Sequence, residues 1–525
     1  MIAPDRRRLL TSLTGGVALA ALPRFGSAQT WEAAAPLGRE WSHLRWARGI
    51  ENQRKADLGD GTFLNPIMPG DHPDPSILKD GDDYYMTFSS FESVPGIVVW
   101  RSRDLVNWTP VTAALTTNIG SVWAPELCKH EGRFYVYIPA RLPEYRSNYV
   151  IWADRIEGPW SEPVDLRLSD HIDPGHVVGE DGRRYLFLSG GDRVRLTDDG
   201  LVTDGPVTHV YDPWRYPPEW VTESFSPEGP KVMRRGDWFY MITAVGGTAG
   251  PPTGHMVIAA RSRSVDGPWE DHPGNPIVRT VGAAEKWWSR GHATLVEGPA
   301  GDWWTVYHGY ENAYWTLGRQ TLLAPVTWSE DGWFAIGGGD LSTPLPKPVG
   351  GEAGPHGMAL SDDFSTDKFG VQWSFYDPRP DERARLTRAD GVLGLRGKGS
   401  APRDASPLTF VQGDLAYEIE CEVEIDEGVT AGLVLFYDRA LYAGVGFDKD
   451  RFVTHTFGLE RSRPANPHGR RLHLRLTNAF HVVTAYTSPD GETWTKYDRQ
   501  MEVSGYHHNV RSGFMMLRPG LYAAG

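Results

Sequence analysis

Cysteine is almost missing from this chain. There are two in 525 residues, Cys128 and Cys421, too far apart in sequence to suggest a local pair. That excludes a disulfide framework and any cysteine-based metal spacing. Long apolar runs are missing as well: the best, Leu13 to Leu22, is too short and too rich in glycine to span a bilayer. No EF-hand-like loop, HExxH, Gly-x-Ser-x-Gly or phosphate-cradling glycine loop occurs, so metalloprotease, serine-hydrolase and nucleotide chemistries lack support. Positive charge is in deficit, 53 Lys and Arg against 67 Asp and Glu, for a net charge of −14. A chain so acidic is a poor partner for nucleic acid or an anionic membrane surface.

What the chain does have is 21 Trp, 40 Pro and 59 Gly within a hydrophobic content of 40%, a balance that suits turn-rich β architecture. Its length predicts two or three domains. At the N-terminus, Arg6-Arg7-Arg8-Leu9-Leu10 leads into the apolar run, and Gly26-Ser27-Ala28 offers a cleavage site. Consecutive arginines before a short apolar stretch resemble a twin-arginine export signal over residues 1–28. That predicts a periplasmic or secreted protein, free of the membrane once the signal is removed. Residues 29–60 form an N-terminal extension with a short helix expected around Trp41 to Arg48.

A repeat organises the next part. Five segments share a polar residue, a few apolar positions, a glycine-centred turn and an aromatic strand, starting at Asp74, Ala124, Asp173, Glu228 and His292. Trp-containing turns such as Gly158-Pro159-Trp160 and Gly267-Pro268-Trp269 close the units. Strand–turn–strand units of this length, with no helix of convincing period between them, predict an all-β fold: a five-bladed propeller over residues 61–343. Leu345 to Gly351 reads as part of a linker over 344–358. Beyond it, residues 359–525 predict a β-sandwich, with Tyr417, Ile419, Cys421, Val423 and Ile425 facing one way. Glu418, Glu420, Glu422 and Glu424 would form a solvated face.

The first strand of each propeller blade lines the central channel. Equivalent positions should therefore bring Asp74, the Trp123-Ala124 pair, Asp173, Glu228 and His292 to one end of it. In His72-Pro73-Asp74-Pro75-Ser76, two prolines stiffen the acid, and Pro75 is expected to press Asp74 into an extended conformation. Alone, Asp74 could be a turn residue. Together, three carboxylates and an imidazole in one cavity repel and shift one another's pKa values, which is hard to explain as scaffolding. Such a set suits hydrolysis of a glycosidic bond, with one acid, one base and a third group tuning the acid. A Ca²⁺ site is the alternative use of clustered oxygens.

These stretches, with Phe91-Glu92, Pro95-Gly96, Ser226-Pro227-Glu228-Gly229-Pro230, Arg290-Gly291-His292 and Leu317-Gly318-Arg319-Gln320-Thr321, resemble glycoside hydrolase family 43. The likeness is to its two-domain β-xylosidase and α-L-arabinofuranosidase members. Asp362-Asp363-Phe364 and Ala443 to Phe447 resemble that group's C-terminal concanavalin-A-like (jelly-roll) sandwich. The resemblance implies an exo-acting inverting enzyme that releases xylose or arabinofuranose from xylan-derived oligosaccharides of the plant cell wall. It makes Asp74 the general base, Glu228 the general acid and Asp173 the group that orients Glu228 and holds up its pKa. Phe91 and Trp123 would flank the sugar, and Arg319 would contact its hydroxyls. His292 would line the channel, where relatives hold a Ca²⁺ through water, although no cofactor is required for the chemistry. The alternative is a non-catalytic carbohydrate-binding propeller. Family sandwiches continue past a Leu-Tyr-Ala-Ala-Gly segment into a final strand, so a strand is expected to be lacking after Gly525.

Overall fold

The computed structural model describes residues 45–525 apart from Arg463. Residues 1–28, expected to be an export signal, and residues 29–44 lie outside that range. The helix expected around Trp41 to Arg48 is not continued by its described end, because Ala47–Arg48 is a strand paired with Arg54–Lys55. The chain doubles back there so that Arg54 can reach a buried partner, Glu311, at 2.8 Å. That tie outweighs local helical preference.

Five antiparallel sheets, each with a four-stranded path, follow one another along the chain. Their inner strands are Ser76–Asp80, Glu126–His130, Gly175–Val178, Glu228–Arg235 and Trp287–Glu297. Each inner strand neighbours the next, and the fifth neighbours the first, so the ring closes. The hairpins carry the turn chemistry the strand twist demands. Glu131 (φ 47°) and Gly132 (φ 85°) make the two-residue left-handed turn between Glu126–His130 and Arg133–Arg141. Apolar side chains fill the wedges between blades. Tyr85, Ile97 and Val99 of the first sheet pack on Leu127, Val136 and Ile151 of the second. Cys128 faces the next wedge, beside Leu186 and Val194.

The sandwich pairs an eight-stranded with a four-stranded sheet. In Ala416–Glu424 exposure alternates residue by residue, with Ile419, Cys421 and Val423 against the core and the glutamates outside. The glutamates are not left to repel one another: Glu420 accepts from Arg475 at 2.7 Å, and Arg471 pairs with Glu422 across the ladder. Both cysteines are free. The last strand, Arg518–Ala524, lies between Thr430–Phe436 and Leu408–Thr409 and is paired on both sides.

The propeller contributes a strand to the sandwich. Ser93–Val94, next to Phe91 in the first blade, pairs with Ser374–Tyr376 at the edge of the eight-stranded sheet. The segment predicted as a linker is strapped down, with Leu345–Pro346 pairing Thr62–Phe63 and Lys347 reaching Asp57 at 2.7 Å and Asp104 at 3.0 Å.

Candidate active site

Asp74 and Asp173 each sit two residues ahead of an inner strand, Glu228 begins one, and His292 lies at a break in register of another. Asp74, Asp173 and His292 share a left-handed backbone, with φ of 57°, 56° and 61°. This corrects the expectation for Asp74: the flanking prolines do not hold it extended. Aspartate tolerates this region better than most residues, and the twist lets its N–H reach the His308 ring at 3.1 Å. Three non-glycine residues in one unfavourable conformation at equivalent positions is stored strain, of the kind that gathers at functional sites.

Around Asp74 the contacts are dense. Its Oδ1 accepts from Arg319 Nη1 at 2.7 Å and its Oδ2 from Ser89 Oγ at 2.5 Å, and the whole group is buried. Burial pushes its pKa up, but the Arg319 guanidinium, His292 and His308 together outweigh burial and hold the carboxyl well below its ordinary value. Asp74 is therefore ionised.

Glu228 is driven the opposite way. Burial, then the negative charges of Asp173 and Asp74, push its pKa well above that of an ordinary glutamate. Its side chain keeps 19% exposure, which points it toward the pocket opening. Asp173 Oδ2 accepts from the backbone N–H of Gly229 at 3.2 Å and lies 3.1 Å from His292 Nε2. Asp173 thereby grips the residue after the acid. Gly229 must be glycine: its φ is 63°, and a Cβ there would meet the His292 ring at 2.7 Å.

Over these groups lies an aromatic wall. Phe91 and Trp123 are adjacent because Phe91 exchanges two backbone hydrogen bonds with Val122. Phe514, from the sandwich domain, stacks on Phe91 (5.7 Å between centroids, 21° between planes) and meets Trp123 edge-on at 5.8 Å. Arg319 lies beneath both phenylalanines, 5.6 Å from Phe91 and 5.4 Å from Phe514.

This succession of domains has counterparts among known proteins. Residues 63–334 match the family described as "Glycosyl hydrolases family 43", and residues 361–525 match "Beta xylosidase C-terminal Concanavalin A-like domain". The chain belongs to glycosyl hydrolase family 43. Among its relatives, a non-reducing end α-L-arabinofuranosidase of Bacteroides ovatus is 33% identical over 73% of this chain and 75% of its own. A xylan 1,3-β-xylosidase of a Vibrio species is 31% identical over 64% of this chain and 69% of its own. Among solved structures, the xylan β-1,4-xylosidase of Bacillus halodurans superposes with a TM-score of 0.76 at 27% identity, covering 88% of this chain and 96% of that one.

As a family 43 enzyme the chain is a glycosidase, and its site holds more than the sequence disclosed. The residues singled out meet through contacts: Asp74 with Arg319, Arg319 with Phe91, Phe91 beside Trp123, and Asp173 with His292 and with Gly229, the residue after Glu228. Missed were Ser89, Thr248, His255, His308 and Phe514. Ser89 and His308 lie off the inner strands, where the repeat carries no signal, and Phe514 arrives from the other domain. The donor set does not fit a Ca²⁺ bound directly by side chains. Among the described residues no three His, Cys, Asp or Glu converge as a metal site, and imidazole is a poor Ca²⁺ ligand.

Proposed function

We propose that the enzyme removes single pentose residues, xylose or arabinofuranose, from the non-reducing ends of plant cell-wall xylo- and arabinoxylo-oligosaccharides with inversion. Asp74 takes a proton from water as that water attacks the anomeric carbon. Glu228 gives its proton to the glycosidic oxygen as the carbon–oxygen bond breaks. Asp173 keeps that proton on Glu228 until then. Arg319, which binds Asp74, has a buried Nε with no hydrogen-bond partner among the described residues. No step takes a cofactor. The carrying observation is the different setting of two buried carboxyls: Asp74 lies 2.7 Å from the Arg319 guanidinium, which favours its charge, while Glu228 is buried near Asp173 and Asp74, whose charges push its pKa up. A protein that only bound sugar would have no use for that pair.

The test is hydrolysis of p-nitrophenyl β-D-xyloside and α-L-arabinofuranoside by wild type, Asp74→Ala and Glu228→Gln. Asp74→Ala should lose on the order of 10⁴-fold on both. Glu228→Gln should lose far less on these activated leaving groups than on xylobiose, which needs the acid. Equal losses on both substrate types would remove Glu228 from that role, and the ratio of wild-type rates decides the sugar. The arginine-led N-terminus supports export by the twin-arginine route to the periplasm or beyond. Enzyme found only in the cytoplasmic fraction would refute that.

A further inference from the structure

Two buried histidines outside the predicted set join the base to the acid. His308 Nδ1 lies 3.1 Å from the backbone nitrogen of Asp74, His308 Nε2 lies 3.2 Å from His255 Nδ1, and His255 Nε2 lies 3.4 Å from Glu228 Oε1. Both rings are fully buried. Burial holds His308 down to about 3 and keeps His255 well below the usual histidine range, so both are neutral and each has one donor and one acceptor nitrogen.

Which nitrogen carries the proton follows from the hydrogen bonds. A peptide N–H can only donate. The amide of Asp74 is aligned on His308 Nδ1. Asp74 Oδ1 also lies 3.1 Å from that nitrogen, but it already accepts from Arg319 at 2.7 Å, so the amide is taken as the partner of Nδ1. Nδ1 of His308 is thus the acceptor and its Nε2 carries the hydrogen. That hydrogen points to His255 Nδ1, which must accept, leaving the proton of His255 on Nε2. This last N–H has no partner among the described groups. A buried donor left unsatisfied is costly and calls for a reason.

We infer that His255 is a positioning residue for the general acid: the Asp74 amide, acting through His308, fixes its tautomer so that an Nε2–H faces Glu228 Oε1. The inference rests on Glu228 being the acid. A donor at Oε1 leaves Oε2 to carry the transferable proton and favours the carboxylate that forms when that proton departs. It opposes Asp173, Asp74 and Glu223, whose negative charges resist ionisation of Glu228, and it acts alongside Arg319, which favours it. His292, the other imidazole near His255, has its Nε2 engaged by Asp173. The contact of 3.4 Å is long, and a bound substrate would tighten it, as catalytic hydrogen bonds commonly do.

The experiment has two arms, both on the full chain. In ¹⁵N-histidine-labelled wild type near neutral pH, the His255 signals, identified by their loss in His255→Gln, should show the Nε2–H tautomer. An Nδ1–H tautomer overturns the inference without any need for an active variant. The second arm is the pH profile of kcat/KM on xylobiose or the matching arabinoside. Losing the donor in His255→Ala should move the alkaline limb upward by about one pH unit and lower kcat. His255→Gln, whose amide nitrogen reaches the same place, should return the limb toward wild type. Lowered activity with an unmoved limb in folded His255→Ala would make His255 a packing residue. Should Glu228→Gln hydrolyse xylobiose at the wild-type rate, the acid assignment fails instead, a result separable from the tautomer.

Discussion

At the scale of single residues the site works by separating two carboxyls that start out alike. Asp74 is paired to Arg319, while Glu228 has no Lys or Arg at contact distance among the described residues and feels three other acids, Asp173, Asp74 and Glu223. Replacing Asp173 with asparagine removes one of those charges. The Glu228 pKa should then fall, and the alkaline limb of kcat/KM should move to lower pH, opposite to the shift expected for His255→Ala. An unmoved limb would leave Asp173 with orientation alone. Arg319→Lys should cost on the order of 10²-fold in kcat/KM, because an ammonium cannot hold Asp74 and face the sugar at once in the way a planar fork does. The prolines around Asp74 are visible in the sequence, but their effect on it is not. A local rule favours an extended residue, whereas the amide of Asp74, drawn to His308 on a distant strand, sets a left-handed one.

At the scale of elements, the loop that carries Phe514 brings a ring from the second domain against Phe91, Trp123 and Arg319. Phe514→Ala removes the ring that stacks on Phe91 and strips apolar surface from the pocket wall. It should raise KM about ten-fold, with a smaller change in kcat. A fall in kcat with KM unchanged would show that the ring serves the transition state instead. The strand pair around Arg54 does a different job. Glu311 is fully buried between Arg54 at 2.8 Å and Lys286 at 2.6 Å, and Arg54 also donates to the backbone of Gly413 in the sandwich. Although burial raises the Glu311 pKa, the two cations bring it down to about 2. Because the folded value lies below the unfolded one, this contribution to stability is present above about pH 4.5 and is lost as pH falls toward 2. Glu311→Gln strands two buried cations and should destabilise the protein by about 3–5 kcal/mol in denaturant unfolding. A loss below 1 kcal/mol would mean that water reaches them.

At the scale of the whole molecule, propeller and sandwich act as one enzyme. Ser93–Val94 extends the sandwich sheet, and Asp71 is bound by Arg518 at 2.8 Å beside the backbone N–H of Met516 at 3.2 Å. Those ties anchor the segment that presents Phe514. The five-fold repeat was legible because each blade rebuilds the same strand and turn, and its register pointed to Asp74, Trp123, Asp173, Glu228 and His292, while Phe91 and Arg319 were reached only through the family resemblance. Contacts that cross between domains or between blades away from their inner strands, such as Phe514 on Phe91 or His255 on His308, leave no periodic trace in a sequence. They depend on where distant segments come to rest.

The central claim is that Asp74 activates water directly while Glu228 protonates the leaving oxygen, in a single displacement. The stereochemistry of the product tests it most directly. Proton NMR of the first sugar released from p-nitrophenyl β-D-xyloside, or from the α-L-arabinofuranoside if that is the better substrate, reads the anomer before mutarotation. The account predicts the inverted anomer first, α-xylose or β-arabinose. The retained anomer appearing first would require a covalent intermediate on an enzyme carboxylate, and would contradict the roles given to Asp74 and Glu228.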